Sequence, residues 1–471
     1  MLKEFFKNIS IYGILPVVGK FMGFFLIPVY ARVFSTVEFG IVELITTLVS
    51  FLVFACNLEI YTSVGRYFYE KESIKQKGVL ISTGLFLTII TSLFVVLISF
   101  LFEDTVLKQY IGSASYLKEY RFGIVWLFVN AISTYLSIIP RYEKRPKLYV
   151  IVNSTSLFFR FCSTIIFVIF LKVGIIGVIY GHIVGDTTSI LLNGLASKRY
   201  LQLNFSGKDA ISIIKYAFPL VPGLLTVGLW NPLSRNLITT FFSVSVLGLY
   251  AFALRFASIT SIFNGALRNT WQPILFENMK DKSFVTKIRE IAGVSTIITV
   301  GIGVFITLLS PNLCFWIGTE KYMDSAILIG FLSLSGTFNV LSQIRGYAPL
   351  VNNKTYVHSL INIFSLLMGV AAFYFINDTW GLLGLGIIMV LYNFLNYILL
   401  AEYTRIKEKV MLYNLWELLL FFFQLISIML IALNAHLFVR VVTLLLYLSI
   451  NIVILKKINW LPRLTKITKQ Q

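Results

Sequence analysis

Three basic side chains, Lys20, Arg160 and Arg255, each stand near the middle of a long apolar run. A charge at mid-bilayer depth costs about 2.5–3.5 kcal/mol on insertion scales, so such a residue faces a protein interior or a water-filled path. Lys20 lies in Val17-Val18-Gly19-Lys20-Phe21, half-way along its run, where its stem reaches the headgroups only under strain. Arg255 follows Tyr250-Ala251-Phe252-Ala253-Leu254 and has no acidic residue within one helical turn. Arg160 differs, because Asp186 stands at similar depth on the next run. Two chemistries are open to it: an ion pair with Asp186, or a share in binding an anion. His182, one turn before Asp186, adds proton coupling as a third, since histidine titrates near neutrality and membrane acids relay protons. Fixed cations at the midplane suit a negatively charged cargo. Arginine suits phosphate in particular, because its planar fork donates two hydrogen bonds at once.

The elements that must hold these residues are membrane helices. Hydrophobic residues make up 57% of the chain, charged ones only 13%, and the mean hydropathy is +0.83, which excludes an ordinary soluble domain. Apolar runs long enough to span a bilayer number about fourteen, at roughly 9–32, 38–60, 78–102, 121–140, 149–171, 174–195, 211–235, 243–266, 288–317, 324–346, 355–376, 380–402, 411–433 and 436–456. The ten-residue alternation of a membrane barrel is absent from the sequence. The expected fold is an all-α polytopic bundle.

The net charge of +19 does not point to nucleic acid, because its distribution is topological. Lys and Arg gather in every second connection, for example Lys71, Lys75 and Lys77, then Arg141, Lys144, Arg145 and Lys147, then Arg345 and Lys354. The other connections hold only Arg32, Lys108, Lys118, Arg121, Lys172, Arg235, Lys321 and Arg440. By the positive-inside rule both termini are cytoplasmic. The first run has no small-residue cleavage site after it and reads as a retained anchor. Cys56, Cys162 and Cys314 are odd in number and far apart, so neither a disulfide framework nor a metal site follows.

The chain repeats itself weakly at a spacing of about 203–208 residues. Pro16 and Pro28 recur as Pro219 and Pro232. Phe34-Ser35 with Gly40-Ile41 recurs as Phe242-Ser243 with Gly248-Leu249, and Tyr149 as Tyr356. Gly174-Ile175-Ile176-Gly177-Val178 recurs as Gly381-Leu382-Leu383-Gly384-Leu385. An even offset of six helices predicts two lobes of like orientation, residues 1–205 and 206–408, with an appended helix pair and basic tail at 409–471. Each lobe opens on a proline-broken helix, so Pro16, Pro28, Pro219, Pro222 and Pro232 are candidate hinges, or static bends.

The remaining polar residues read as structural. Glu43 and Glu417 lie nearer the interfaces, where water reaches them. Asn57, Asn130, Asn339, Asn362, Asn393 and Asn396 suit interhelical hydrogen bonds, worth about 0.6 kcal/mol on average. Trp126, Trp230, Trp271, Trp316, Trp380, Trp416 and Trp460 suit interfacial belts. No phosphate-binding lysine loop, paired histidines or large extramembrane catalytic loop is present in the sequence, so transport is expected rather than catalysis, with no cofactor and no metal.

Several runs carry a family likeness. Ile27-Pro28-Val29-Tyr30-Ala31-Arg32 through Phe39-Gly40-Ile41-Val42, Arg66-Tyr67-Phe68-Tyr69-Glu70 and Tyr216-Ala217-Phe218-Pro219-Leu220-Val221-Pro222 are three of them. Leu247-Gly248-Leu249-Tyr250, Trp271-Gln272-Pro273-Ile274-Leu275-Phe276-Glu277, and Gly318 with Tyr322 continue the series. Together they resemble the polysaccharide (O-antigen or repeat-unit) flippases, Wzx type, of the multidrug/oligosaccharidyl-lipid/polysaccharide exporter superfamily. The resemblance implies two six-helix lobes plus two helices in the bacterial plasma (inner) membrane. It implies alternating-access transfer of an undecaprenyl-diphosphate-linked oligosaccharide, of O-antigen or capsule type, from the cytoplasmic to the outer leaflet. Lys20 and Arg255, with Arg160 as a third, would then line the central cavity, and polysaccharide polymerase and chain-length proteins would be partners. A peptidoglycan lipid-precursor flippase, a cation-coupled multidrug exporter of the same fold, and a membrane-embedded polymerase or ligase are the rival readings. One departure stands out: the family often shows Asp-Arg late in the seventh helix, where this chain has Ser234-Arg235.

Overall fold

In the computed structural model the described residues are 18–19, 22–143, 145–202, 204–218, 228–260, 284–351, 354, 356–376, 380–409 and 415–457, and every regular element among them is helical. Lys20, Pro16, Pro219, Pro222, Trp271 and Trp460 lie outside the described residues. In chain order the main helices of the first half are α1 (Met22–Val33), α2 (Thr36–Asn57), α3 (Ile60–Phe68), α4 (Ile74–Leu101), α5 (Leu117–Ser137), α6 (Pro146–Ile165), α7 (Ile175–Ala196) and α8 (Gly207–Ala217). There follow α9 (Trp230–Phe241), α10 (Val244–Ala257), α11 (Phe284–Leu313), α12 (Ser325–Arg345), α13 (Tyr356–Phe375), α14 (Gly381–Glu408), α15 (Leu415–Ala432) and α16 (Leu437–Lys457).

Local chemistry sets their ends. α2 opens on a capping box: Ser35 Oγ accepts from the Glu38 N–H at 3.2 Å, and the Glu38 carboxylate accepts from the Ser35 N–H at 2.8 Å. Its counterpart Ser243 caps α10, accepting from the Val246 N–H at 3.1 Å. α2 stops at Asn57 rather than running to residue 60, because Leu58 and Glu59 take φ of 40° and 59°, and the chain restarts as α3. α14 runs past the expected end at 402 to Glu408, since Glu402, Arg405, Lys407 and Glu408 all favour helix, with Arg405 Nε donating to Glu402 at 2.7 Å.

Among the described residues ten helices are long and apolar enough to cross a bilayer, and Met22–Val33, Val244–Ala257 and Trp416–Ala432 are shorter apolar helices. α4, α6, α13 and α16 leave large apolar side chains exposed, among them Ile90, Phe94, Phe158, Leu360, Leu367 and Val453. Such surfaces are a liability in water and the ordinary outer face of a helix in lipid. The protein is a multi-pass membrane protein.

The chain divides into two compact units, Met1–Ala251 and Phe252–Gln471. Within the first, α4 packs on α5, α5 on α7, and α6 on α7. Within the second, α11 packs on α12, α12 on α14, and α13 on α14. The same order of partners appears twice. α15 packs on α11 and α12, and α16 packs on α11 and α15.

The prolines and asparagines behave unequally. The chain is helical at Gly228, interrupted at Leu229 and helical again from Trp230. The Pro232 nitrogen cannot donate to the Gly228 carbonyl, which accounts for the interruption. α1 is continuous through Pro28. Asn339 and Asn393 bond between α12 and α14, as expected of interhelical amides. Asn57 and Asn396 instead donate to carbonyls of their own helices, Val53 at 3.0 Å and Tyr392 at 3.2 Å.

Candidate functional site

The most developed polar site in the first unit is built on Asp186 of α7, which is 4% exposed. Arg160 Nη2 of α6 donates to its Oδ1 at 2.6 Å. Its Oδ2 accepts from Trp126 Nε1 at 2.7 Å and from Asn130 Nδ2 at 2.6 Å. Trp126 and Asn130 are one turn apart on α5 and so share a face. Gly185 lets α6 come close, for a Cβ there would stand 2.6 Å from Arg160 Cβ. The ring of His182 packs on Trp126 with centroids 4.2 Å apart. A buried carboxylate is costly unless paired and hydrogen-bonded, and three donors on Asp186 meet that cost. Arg160 is different, since its side chain keeps 26% of its surface accessible. The pair therefore has a closed acidic side and an open basic side.

A second buried pair joins α2, α9 and α10. Arg235 donates from Nε and Nη2 to Glu43 Oε1 at 3.3 and 3.2 Å, and from Nη1 to Asn231 Oδ1 at 3.2 Å. Its guanidinium lies 5.2 Å from the Tyr250 ring centroid. The third pair belongs to the second unit. Arg345 at the end of α12 donates to Glu417 of α15 and to the Tyr397 hydroxyl of α14, and Thr296 Oγ1 of α11 lies 3.5 Å from its Nη2. Arg345 is fully buried and Glu417 is 2% exposed. These positions correct three expectations. Arg235 and Arg345 are not loop cations, and Glu43 and Glu417 are not reached by water; each acid has found an arginine from another helix. Trp126 is likewise no interfacial belt residue, because its indole N–H is committed to Asp186.

A profile of the family described as polysaccharide biosynthesis protein matches residues 29–327. The chain belongs to that family. Its fold is similar to that of solved transporters. A lipid II flippase, MurJ, in an inward closed conformation has a TM-score of 0.71 at 14% identity, over 95% of this chain and 99% of the other. An inward-facing multidrug resistance MATE family transporter of the MOP superfamily gives 0.70 at 14% identity, over 85% and 98%. A MOP superfamily transporter from Pyrococcus furiosus, described as having a binding pocket of reversed polarity, gives 0.55 at 15% identity, over 86% and 96%. No curated protein matches the chain in sequence.

In this family member, Arg160, Asp186 and His182 gather round one site, with His182 contributing through Trp126. Arg255 lies on α10, half-buried between the buried Ala253 and Phe256. Trp126 and Asn130 were not anticipated as site residues, although their one-turn spacing on a helix facing Asp186 was a signal. Arg235 also had one: with Ser234 in place of the family's acid, its charge needed a carboxylate from elsewhere, and Glu43 supplies it. Among the described residues no group of three His, Cys, Asp or Glu is placed to hold a metal ion.

Proposed function

We propose that the protein is a flippase that moves an undecaprenyl-diphosphate-linked oligosaccharide repeat unit, of O-antigen or capsule type, from the cytoplasmic to the outer leaflet of the bacterial plasma membrane. The observation that carries this reading is the polysaccharide-biosynthesis family match over residues 29–327 on a fold like that of a lipid II flippase. The cargo carries a diphosphate that must cross hydrocarbon while charged. Fixed cations replace its lost hydration, each charge-assisted hydrogen bond contributing about 1.5–3 kcal/mol. Lys20 and Arg255 are the cations assigned to the diphosphate, with the open side of Arg160 as a third. Pro16, Pro28, Pro219, Pro222 and Pro232 are the hinge positions assigned to alternating access, and both termini are assigned to the cytoplasm.

The test is complementation of a strain lacking its own repeat-unit flippase, read as polymer at the cell surface. Wild-type protein restores polymer, whereas Lys20→Ala and Arg255→Ala, at normal protein levels, do not. Full activity in both variants overturns the assignment of the cations. The lipid II flippase likeness favours a second reading, a peptidoglycan-precursor flippase. Rescue of growth in cells depleted of that activity, without restored surface polymer, would decide for it.

A further inference from the structure

The two units carry the same hydrogen-bonded constellation, once charged and once neutral. In the first, Asn130 Nδ2 of α5 donates to Asp186 Oδ2 of α7 at 2.6 Å, and Trp126 one turn earlier donates to the same oxygen. In the second, Asn339 Nδ2 of α12 donates to Asn393 Oδ1 of α14 at 3.3 Å, and Ser335 one turn earlier accepts from Asn393 Nδ2 at 2.8 Å. The residues correspond through the internal repeat. The shift that carries Gly174 onto Gly381 carries Asp186 onto Asn393, and a shift two residues longer carries Trp126 and Asn130 onto Ser335 and Asn339. Arg160 maps onto Leu367, an exposed apolar residue, so the second site has lost its cation together with its acid.

Two observations say that the neutral site faces water and not only its neighbours. α12 is buried along nearly its whole length, and within Ser325–Arg345 Asn339 alone is exposed. A residue turned to lipid would be apolar. Gln343, one turn further and partly exposed, donates to Asn339 Oδ1 at 3.3 Å and extends the amide row outward from the buried Ser335. Amides present donors and acceptors side by side with no net charge. That chemistry matches sugar hydroxyls and offers little to a phosphate or a cation.

We infer that Asn339, Asn393 and Gln343 form a glycan subsite of the second unit, which takes neutral sugar hydroxyls while cations elsewhere take the diphosphate. The inference rests on the flippase reading and divides its labour: one lobe's constellation is ionic, the other's is a polyol receptor. The experiment measures binding of two lipids to the full-length protein in nanodiscs. One is the lipid-linked repeat unit extracted from the host's membranes, the other sugar-free undecaprenyl diphosphate. Asn339→Ala and Gln343→Ala each weaken binding of the glycan lipid by about tenfold, the value of one or two hydrogen bonds, and leave sugar-free lipid binding unchanged. Gln343→Ala keeps the test valid if Asn339→Ala fails to fold, because Gln343 takes no part in the bond that Asn393 makes to Ser335. Equal losses for both lipids, or no loss for either, overturn the subsite alone. Wild-type protein that binds neither lipid overturns the flippase reading and the subsite with it.

Discussion

Gly248 lies so close to Thr36 that a Cβ on it would stand 1.8 Å from the Thr36 carbonyl oxygen. Its repeat counterpart Gly40 is as tightly placed, with a Cβ position 2.2 Å from the Val244 carbonyl oxygen and 3.2 Å from the Gly248 nitrogen. Beside them Thr36 Oγ1 and Ser245 Oγ are 2.7 Å apart. The duplicated motifs therefore meet each other, α2 against α10, and glycine is present in both because backbone touches backbone.

Substituting either glycine forces these helices apart. Overpacking of a close contact costs about 1–3 kcal/mol. Gly248→Ala is expected to lower the thermal unfolding midpoint in detergent, and Gly40→Ala to do the same, while Gly23→Ala, with nothing within 4 Å of its Cβ position, leaves it unchanged. Equal midpoints for all three would mean that the α2–α10 contact is not close.

Much of this was legible beforehand, and for identifiable reasons. Hydropathy placed α4, α7, α12 and α13 to within a few residues, because an apolar run must be helical in lipid. The repeat of Ser35 and Gly40 as Ser243 and Gly248 was visible because caps and backbone contacts restrict residue type. Arg235 and Arg345 were misplaced because charge at the end of an apolar run looks like a loop cation, and nothing local shows that Glu43 and Glu417 come to meet them. The neutral constellation of Asn339 and Asn393 was readable as hydrogen bonding, but its equivalence to Asp186 needed the helix pairing.

The Arg345–Glu417 pair fastens α15 to α12, and the Arg345 bond to Tyr397 brings in α14. Truncating one partner of a buried pair leaves an uncompensated charge and costs about 3–5 kcal/mol, whereas an apolar pair of similar volume is often neutral. Glu417→Ala and Arg345→Ala are each expected to reduce the yield of monodisperse protein and the unfolding midpoint severely. The double variant Arg345→Met with Glu417→Leu recovers most of both. A double variant as unstable as the singles would assign the pair an essential polar role instead.

Glu103 lies outside the spans, just beyond α4, and Arg121 of α5 holds its carboxyl below its ordinary range by donating from Nε at 3.1 Å and from Nη2 at 2.8 Å. A lowered pKa in the folded state means that the contribution is complete above the ordinary carboxylate range and is lost as pH falls through the lowered value. Thermal midpoints measured from neutral pH to well below about 4 should fall on the acid side, and Glu103→Gln should flatten a part of that fall. An identical acid limb in the variant would remove Glu103 from the titration.

The remaining question about Arg160 is whether it serves Asp186 or the cargo, and the asymmetry of the pair makes that measurable. Asp186 is buried and closed in by Arg160, Trp126 and Asn130, whereas Arg160 retains an accessible face. Removing Arg160 leaves a buried carboxylate with two neutral donors; removing Asp186 leaves a guanidinium that water still reaches. Arg160→Leu is therefore expected to cost more stability than Asp186→Asn, about 2–4 kcal/mol after allowance for the open side, and the double variant Arg160→Leu/Asp186→Leu less than their sum. Stability alone cannot separate the two roles, so the double variant is also tested for surface polymer. If the pair is only structural, the stable double variant restores polymer. If Arg160 holds an anion, the double variant folds and fails, and Arg160→Lys, which keeps the charge but not the fork, falls between.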